Sequence, residues 1–451
     1  MMNDKNVMLE ATIVKLTEAK KYASLRDFLA TLNSADIAEA FGELSDQALP
    51  LVFRLLPKEL AAEVFVEMEA EQQETLIRGF SDVELKAVVE ELYVDDAVDL
   101  VEEMPANVVS RILSQADPDT RKMINEILQY PDDSAGSEMT TEFVELQSSM
   151  TAAQCIAHIR RVGIDKETIN TCYITDARHH LKGVVSIRSL ILASDETTCG
   201  ELMSHSVVSV GTLEDKETVA QMFSKYAFNA MPVVDKDGRL VGIVTMDDAI
   251  DIMEEETTED MEKMAAIVPS DRPYLQTGVL ALWKNRIPWL LILMLAAAFT
   301  GLVIRGFENT LLATSVLIAY MPMLMDAGGN SGSQTSVTII RGLSLQELEF
   351  SDLWQVLWKE LRVSALCGLT MAAVNFAKLM LLDRVSLPVA AVVCVTLFAT
   401  VILAKLIGSF FPMLAQKLGF DPALMASPII TTVVDVMSLL VYLLLATAIL
   451  G

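Results

Sequence analysis

The chain has 451 residues, of which 52% are hydrophobic, and its formal net charge at pH 7 is −27. From Ile287 onward it holds eight basic and nine acidic residues, so nearly all of the net charge lies in the first 286 residues. Such an acidic chain is poorly suited to bind nucleic acid and well suited to attract cations. The five cysteines and four histidines show no zinc-type spacing, and we find no nucleophile–base set or phosphate-binding loop, so we expect no enzyme activity.

Residues 1–131 are predicted to form an acidic helical domain. Apolar residues recur at spacings of three and four in the stretches 49–56 and 60–68, and Pro50, Pro57 and Pro105 punctuate the pattern. Short helices stacked in succession, an all-α superhelix, are the structure that this pattern indicates. Because the N-terminus lacks the apolar region of a signal peptide, we expect this domain in the cytoplasm.

Residues 132–253 contain an internal duplication, with copies at about 138–199 and 200–253. The stretch LKGVVSI at 181–187 in the first copy corresponds to LVGIVTM at 240–246 in the second. Each copy predicts a β-α-β-β order, and Asp235 to Gly238 is a hairpin signal. The order resembles a tandem CBS pair, an α/β regulatory module that binds nucleotides or ions.

A nucleotide is one candidate ligand of this pair. Thr245 and Asp248 resemble the hydroxyl and carboxylate that contact phosphate and ribose in CBS modules, which implies ATP or a related nucleotide. The first copy has Ser186 and Ser189 at these positions and lacks the acid.

Residues 254–283 are interpreted as an acidic connector helix leading to the membrane. Nine of the 16 residues from Asp247 to Glu262 are acidic. Like charges one turn apart repel, so the helix should be fragile unless a cation neutralises it. A solvated connector without a regulatory role is the alternative.

Residues 284–451 are predicted to span a membrane five times. The apolar segments are 287–304, 311–340, 361–382, 386–412 and 423–449. Lys284, Arg286, Arg341, Lys359, Arg362 and Lys417 lie at one side of these segments, and Arg305 and Arg384 lie at the other. The excess of basic residues on the cytoplasmic side places the N-terminus inside and the C-terminus outside. We therefore expect a multi-pass protein of the bacterial inner membrane.

Two features inside the predicted spans indicate an ion path. Met321-Pro322 and the stretch Ala327 to Gln334, rich in glycine and serine, are expected to break the second span and free backbone carbonyls, which is tolerated where they line a cavity. Asp435 lies ~18 Å along the last apolar segment, near the middle of the membrane. Carbonyls, the Asn330 amide oxygen and a carboxylate suit Mg²⁺ or Ca²⁺ more than soft metals. Close helix packing is the alternative explanation of the glycines.

Taken together, the acidic helical domain, CBS pair, acidic connector and five spans resemble the MgtE family of magnesium channels. The resemblance covers nearly the whole chain and is most specific at residues 328–334 and at 420–435, which includes Phe420-Asp421-Pro422. It implies a homodimer in the lipid bilayer, with one pore in which Asp435 of both chains holds the permeating ion. Mg²⁺ bound among the cytosolic domains would close that pore.

Individual residues are carried over on the same resemblance. Pore ligands would be Asp435, Asp421, Asn330 and Gly328. Cytosolic Mg²⁺ ligands would be Glu63, Asp95, Asp99, Glu217, Asp248, Asp251, Glu256, Glu259 and Asp260. Two departures are noted, Ser333 where the family often has a second asparagine and Ala227 where a relative has a carboxylate.

The function that these features favour is Mg²⁺ import gated by Mg²⁺. Transport of Co²⁺, Mn²⁺ or Ca²⁺ remains an alternative, because an oxygen-only site discriminates weakly among hard cations. A membrane-tethered sensor of ions or nucleotides without transport is a second alternative.

Overall fold

A computed structural model describes residues 2–270, 274–275, 277–425 and 427–450. The chain forms two compact units, Met1–Met253 and Glu254–Gly451, and each is described separately.

The first unit begins with ten helices that stack in succession. They are α1 (Met2–Glu18), α2 (Tyr22–Leu29), α3 (Ser34–Phe41), α4 (Leu49–Phe53), α5 (Lys58–Val66), α6 (Ala70–Gly79), α7 (Asp82–Val89), α8 (Val94–Glu103), α9 (Ala106–Gln115) and α10 (Pro118–Ile127). From α3 onward each odd-numbered helix contacts the next, in the series α3, α5, α7 and α9. This order of contacts confirms the predicted superhelix.

Capping and proline residues set the boundaries of these short helices. Pro57 and Pro105 immediately precede α5 and α9, where their missing N–H groups cost nothing. Ser81 begins α7 with a capping box, in which its side chain accepts from the Glu84 N–H and Glu84 accepts from the Ser81 N–H. The helices bury large apolar side chains such as Phe41 and Phe65 in a common core.

Two three-stranded sheets follow and confirm the tandem CBS pair. The first copy contains β1 (Glu145–Gln147), α11 (Ala152–Val162), β2 (Thr171–Thr175), β3 (Leu181–Ser186), α12 (Ile187–Leu192) and α13 (Cys199–Leu202). The second contains β4 (Val210–Gly211), α14 (Lys216–Tyr226), β5 (Ala230–Val234) and β6 (Leu240–Thr245). In each sheet the first pair of strands is parallel and the second pair is antiparallel. The β5–β6 turn has Gly238 at φ +80, as the hairpin signal requires.

Helix α15 (Met246–Met264) contains the acidic run. Asp247 and Asp248 lie in its first turn, where negative charge is favoured by the helix dipole. This helix ends at Met264 and the next one begins at Val279, so the described residues of 254–283 do not form one continuous helix. The interpretation of 271–273 and 276 as connector falls outside the described residues.

The second unit continues with six further helices. They are α16 (Val279–Gly306), α17 (Glu308–Ala313), α18 (Met321–Ser344), α19 (Leu353–Lys378), α20 (Leu387–Leu418) and α21 (Ser427–Leu450). Four stretches in the described residues are long and apolar enough to cross a membrane: Val279–Gly306, Phe350–Asp383, Leu387–Leu418 and Pro422–Leu450. Helix α18 is too polar to be counted among them, so the number of five spans stays a prediction.

The predicted break at the glycine-rich stretch is wrong. Residues 328–334 lie inside the continuous helix α18, and the irregular part comes earlier, as a 3₁₀ turn at Ser315–Tyr320. A Cβ atom on Gly408 of α20 would lie 2.4 Å from the Gly332 carbonyl oxygen, so the glycines allow the two helices to approach closely. The packing alternative accounts for these glycines, because tertiary contacts compensate for their low helix propensity.

Candidate functional site

A polar stripe runs along α18. We use this name for Asp326, Asn330, Gln334 and Thr338, which recur at every fourth residue and are all exposed in the single chain. The opposite face of α18 packs against α20 and α21. Residues four apart share a helix face. In a membrane such a face requires water or another protein surface, because hydrocarbon does not solvate polar side chains.

Asp435 lies on α21, which packs against α18. Its Oδ1 atom is buried and has no hydrogen-bond donor among the described atoms. Asp326 of the polar stripe is close enough to act on it electrostatically. A buried carboxylate oxygen without a donor needs an explanation, and a cation ligand provides one.

Gly328 allows α18 to approach the turn that carries Asp435. A Cβ atom at Gly328 would lie 2.8 Å from Val434 Cγ1 and 2.9 Å from Ser438 Oγ. The structure therefore brings Gly328 beside Asp435's neighbours and leaves Asn330 on the exposed polar stripe. The Gly328 carbonyl lies within a regular helix, so only its second lone pair is available to an ion.

Asp421 lies at a different site from Asp435. It precedes α21, whereas Asp435 lies ~12 Å along that helix. The Asp421 Oδ2 atom is 2.7 Å from Lys263 Nζ, and the same ammonium is 2.7 Å from Glu259 Oε1. Ser344 Oγ donates to Asp260 Oδ2 over 3.3 Å. We call Glu259, Asp260, Lys263 and Asp421 the connector cluster.

The charges of the connector cluster are strongly coupled. Burial raises the pKa of Asp260, and the nearby Asp421 charge raises it further. Burial acts to lower the pKa of Lys263, but its bonds to Asp421 and Glu259 outweigh that effect and hold this pKa above its usual range. Lys263 is therefore a fixed cation between two predicted ligands.

A second group of acids lies at the start of α8 and α15, within the first unit. Asp95 is only 9% exposed, and Asp96, Asp248 and Glu167 act on it electrostatically. We call these four residues the carboxylate cluster. Glu142 lies nearby and accepts a hydrogen bond of 3.1 Å from the Val94 N–H.

Burial is the main cause of the shifted pKa values in the carboxylate cluster. It raises the pKa of Asp95 well above its usual range, raises that of Asp96 to about 7 and raises that of Glu167 to about 8. Asp248 adds its negative charge to the effect on each of them. The pKa of Asp248 itself is raised by burial, although hydrogen bonds from Thr245 act in the opposite direction.

Thr245 and Asp248 form the pair predicted to bind a nucleotide. The Thr245 Oγ1 atom donates to Asp248 Oδ2 over 2.5 Å, and the Thr245 N–H donates to the same oxygen over 3.2 Å. In the first copy the Ser186 and Ser189 hydroxyls are 2.8 Å apart at the corresponding place. The second copy thus provides the acid that the first lacks.

Asp99, one turn beyond Asp95, is coupled to the carboxylate cluster: desolvation raises the pKa of its carboxyl to about 8, and the charges of Glu138, Asp96 and Asp248 add to the effect. The other predicted ligands are more dispersed. Asp251 is exposed, one turn beyond Asp248. Glu217 lies in the first turn of α14 and accepts from Gln221 over 3.1 Å, and Glu256 is half-buried on α15. Glu63 is exposed on α5 and makes no ion pair or side-chain hydrogen bond with the part of the chain that the structure describes.

The donor set is oxygen-only, as Mg²⁺ prefers. No group of three or more His, Cys, Asp or Glu side chains in the described residues is arranged to hold a metal ion. Mg²⁺ keeps several water molecules and often uses only one or two carboxylates, so pairs such as Asp95 and Asp248 still suit it.

Sequence reasoning missed several members of these groups. Asp96 follows a predicted ligand and could have been included on that ground. Glu142 and Glu167 lie outside the named helices and strands of the first CBS copy, so no periodicity pointed to them. Lys263 was not selected because it directly follows a run of acidic residues.

Comparison with known proteins decides the family. A family model described as a divalent cation transporter, MgtE, matches residues 321–445, and one for the MgtE intracellular N domain matches 32–133. A CBS-domain model matches 199–255. The magnesium transporter MgtE of Thermus thermophilus is 38% identical over 97% of this chain and 98% of its own length.

The chain belongs to the MgtE family. The magnesium transporter MgtE of Bacillus subtilis is 30% identical over 98% of both chains. Membership confirms the resemblance drawn from the sequence and makes the chain a multi-pass membrane protein of a magnesium-transporter family.

Two solved structures resemble part of this chain. The cytosolic domain of the Mg²⁺ channel MgtE in complex with ATP has a TM-score of 0.51 and 36% identity, and covers 53% of this chain and 99% of that chain. The soluble part of a magnesium transporter has a TM-score of 0.52 and 28% identity, and covers 56% of this chain and 99% of that one.

Proposed function

We propose that this family member is a Mg²⁺ channel that imports Mg²⁺ across the inner membrane. The observation that carries the proposal is the polar stripe of α18 next to the unpaired Asp435 oxygen. A membrane tether needs neither feature, whereas a cation path needs both. The membrane potential favours entry of a divalent cation by several kcal/mol per 100 mV.

The pore is formed between two copies of the chain. The polar stripe is exposed in one chain, and a homodimer that pairs two stripes around water would solvate it. Asp435 of both copies would hold the hydrated ion, with Asn330 and the Gly328 carbonyl nearby, and Asp421 would bind nearer the cytoplasmic face. The N-terminus is cytoplasmic and the C-terminus periplasmic, following the basic residues.

Cytosolic Mg²⁺ closes this pore. The carboxylate cluster and the connector cluster each contain repelling acids, and divalent cations binding within each cluster would favour its compact state. Glu63, Asp99, Glu217, Asp251 and Glu256 would contribute at the edges of these groups. In this proposal residues 1–131 form a helical sensor domain and residues 132–253 a CBS sensor domain. Residues 254–283 form the connector, and residues 284–451 form the pore.

A nucleotide is a second regulator that the chain is suited to bind. The Thr245–Asp248 pair supports ATP binding, and the relative solved with ATP is consistent with it. Asp248 also belongs to the carboxylate cluster, so ATP and Mg²⁺ binding should be coupled through this residue.

The test of conduction is Mg²⁺ uptake into proteoliposomes containing Asp435→Asn. We expect uptake to fall to background, because the amide removes the charge while keeping the shape of the side chain. Asp352→Asn, at the cytoplasmic start of α19, is the matched control and should conduct normally. Equal uptake by the wild type and Asp435→Asn would refute a pore through Asp435, and Co²⁺, Mn²⁺ and Ca²⁺ in the same assay test selectivity.

A further inference from the structure

A lysine is buried among the apolar helices of the second unit. Lys405 lies near the middle of α20, ~20 Å from its end, in a stretch long and apolar enough to cross a membrane. It is only 7% exposed, and no carboxylate among the described residues forms a direct ion pair with it. An ammonium in such a place is costly unless polar groups surround it or an opposite charge compensates it. The ion path proposed above gives this residue no role.

Thr335 of α18 connects Lys405 to a carboxylate. Lys405 Nζ donates to Thr335 Oγ1 over 3.1 Å, and Thr335 Oγ1 donates to Glu360 Oε2 of α19 over 3.2 Å. The hydroxyl thus directs its single proton toward the acid and a lone pair toward the ammonium. Thr335 is only 3% exposed, and Glu360 is half-buried within its own candidate span. We call Lys405, Thr335 and Glu360 the charge bridge, because one hydroxyl joins opposite charges from two other helices.

The charge bridge lies beside the close approach of α18 and α20. A Cβ atom on Gly332 would be 3.3 Å from the carbonyl oxygen of Ala404, which immediately precedes Lys405. Ala404 also belongs to one apolar cluster with Val434, the neighbour of Asp435. Thr335 is three residues after Gly332, which is about one helical turn. The charge bridge is therefore about one turn away from the contacts that hold α18 beside the helix of Asp435.

Glycine contacts hold α18 close to its neighbours but define its rotation poorly. Glycine has no side chain that could interlock with a neighbouring helix, whereas a hydrogen bond depends on direction. Thr335 follows Gln334 of the polar stripe, and the two positions are ~100° apart around the helix axis. A fixed direction of Thr335 against α19 and α20 therefore fixes the direction of the polar stripe as well.

We propose that the charge bridge is a positioning device for transport, which sets the rotation of α18 and so keeps the polar stripe turned toward the ion path. Lys405 and Glu360 act through Thr335 and do not bind the ion themselves. Compensation between the two charges makes their burial tolerable, and the shared hydroxyl makes the arrangement specific. The role in transport rests on the channel function proposed above, whereas the effect of the charge bridge on α18 is measurable without conduction.

Unfolding temperatures of the full-length protein in detergent test the coupling of the two charges. Lys405→Met and Glu360→Gln each leave one buried charge without its counterpart, so each should lower the unfolding temperature by several degrees. The double variant removes both charges and should unfold at a higher temperature than either single variant. Additive losses would mean that the two residues are independent, and would overturn the proposal.

A reporter on the polar stripe tests the rotation of α18. Asn330→Cys is placed in a background with Cys367→Ser and Cys394→Ala, since the other three cysteines are buried. The ratio of its reaction rates with a charged and with a lipid-soluble maleimide, in native membranes, reports which medium the stripe faces. Thr335→Val removes only the bridging hydroxyl and should lower this ratio several-fold. Thr335→Ser keeps the hydroxyl and should retain the ratio.

A matched control separates the charge bridge from the general loss of a buried hydroxyl. Thr396 is fully buried and donates to the Val392 carbonyl of its own helix over 2.7 Å, so Thr396→Val should leave the ratio unchanged. An unchanged ratio in Thr335→Val would overturn the positioning role.

Mg²⁺ uptake links the rotation of α18 to transport. The maximal rate should fall in Thr335→Val and recover in Thr335→Ser. Normal uptake by Thr335→Val despite a changed labelling ratio would mean that the rotation does not matter for transport, and would also overturn the proposal. Failure of the channel function itself is recognised separately, because Asp435→Asn would then conduct like the wild type while the unfolding and labelling results still report on the charge bridge.

Discussion

Lys263 places a fixed positive charge between two predicted Mg²⁺ ligands. Its ammonium contacts Glu259 and Asp421 at 2.7 Å each, and Asp260 is beside them. We expect an internal cation at this point to compete with Mg²⁺ for the same oxygens. We also expect it to hold the last turns of α15 in place when Mg²⁺ is scarce.

Replacing Lys263 by methionine should transfer this role to Mg²⁺. In Lys263→Met the three acids repel one another, so the last turns of α15 should exchange amide hydrogens several-fold faster without Mg²⁺. Addition of Mg²⁺ should restore the protection. Hydrogen exchange followed by mass spectrometry measures both, with exposed Lys359→Met as the control. Unchanged exchange without Mg²⁺ would show that Lys263 is dispensable there.

The carboxylate cluster should make stability depend on pH. The folded state raises the pKa of Asp96 to about 7 and of Glu167 to about 8, so it holds more protons than the unfolded state between pH ~4 and these values. Stability without Mg²⁺ should therefore fall as the pH rises through this range. Hydrogen exchange in α8, corrected for intrinsic rates, should show less protection at pH 8 than at pH 6.

Two comparisons check the origin of that dependence. Asp96→Asn should reduce it, whereas Asp46→Asn at an exposed position should not. Mg²⁺ should restore protection at pH 8, since it neutralises the ionised acids. A flat pH profile in the wild type would mean that the acids are already compensated.

Sequence reasoning identified some of these residues but could not assemble the groups. Asp95 and Asp248 were chosen by resemblance, and the structure brings them together across more than 150 positions of sequence. Glu142 and Glu167 come close only through the fold of the first CBS copy. A single sequence contains no signal for contacts of that range.

Helix α18 shows where local rules were insufficient. A run of Gly, Asn and Ser disfavours a helix on propensity alone, yet α18 is continuous because α20 and α21 pack against its glycines. Elements with clear turn signals, such as the β5–β6 hairpin, were predicted closely. The residues that specify such elements are neighbours in sequence, whereas the contacts that stabilise α18 come from distant helices.

Close packing at Gly408 can be tested by one methyl group. Gly408→Ala places a Cβ atom 2.4 Å from the Gly332 carbonyl oxygen, so α18 and α20 must separate. We expect a loss of about 1–3 kcal/mol in stability, measured by thermal unfolding in detergent. Gly301→Ala in α16 meets no atom within 4 Å and should be neutral. Equal stability of both variants would contradict the close contact.

At the scale of the whole molecule, the polar stripe predicts how two chains meet. In a background with Cys367→Ser, Asn330→Cys should form cross-linked dimers with a short bifunctional reagent in native membranes. Thr370→Cys, exposed on α19, should not. Reactivity of Asn330→Cys only with lipid-soluble reagents, and no dimer, would place the stripe against lipid.

The low hydropathy of α18 also has a consequence for biosynthesis. A segment this polar does not leave the translocon for lipid by itself. It should remain beside the translocon until α20 and α21, synthesised later, provide the surfaces that its glycines match. Variants that weaken those surfaces are then expected to fail during insertion, and to be degraded before any channel property is measured. Low abundance of such a variant would report on assembly order rather than on ion conduction.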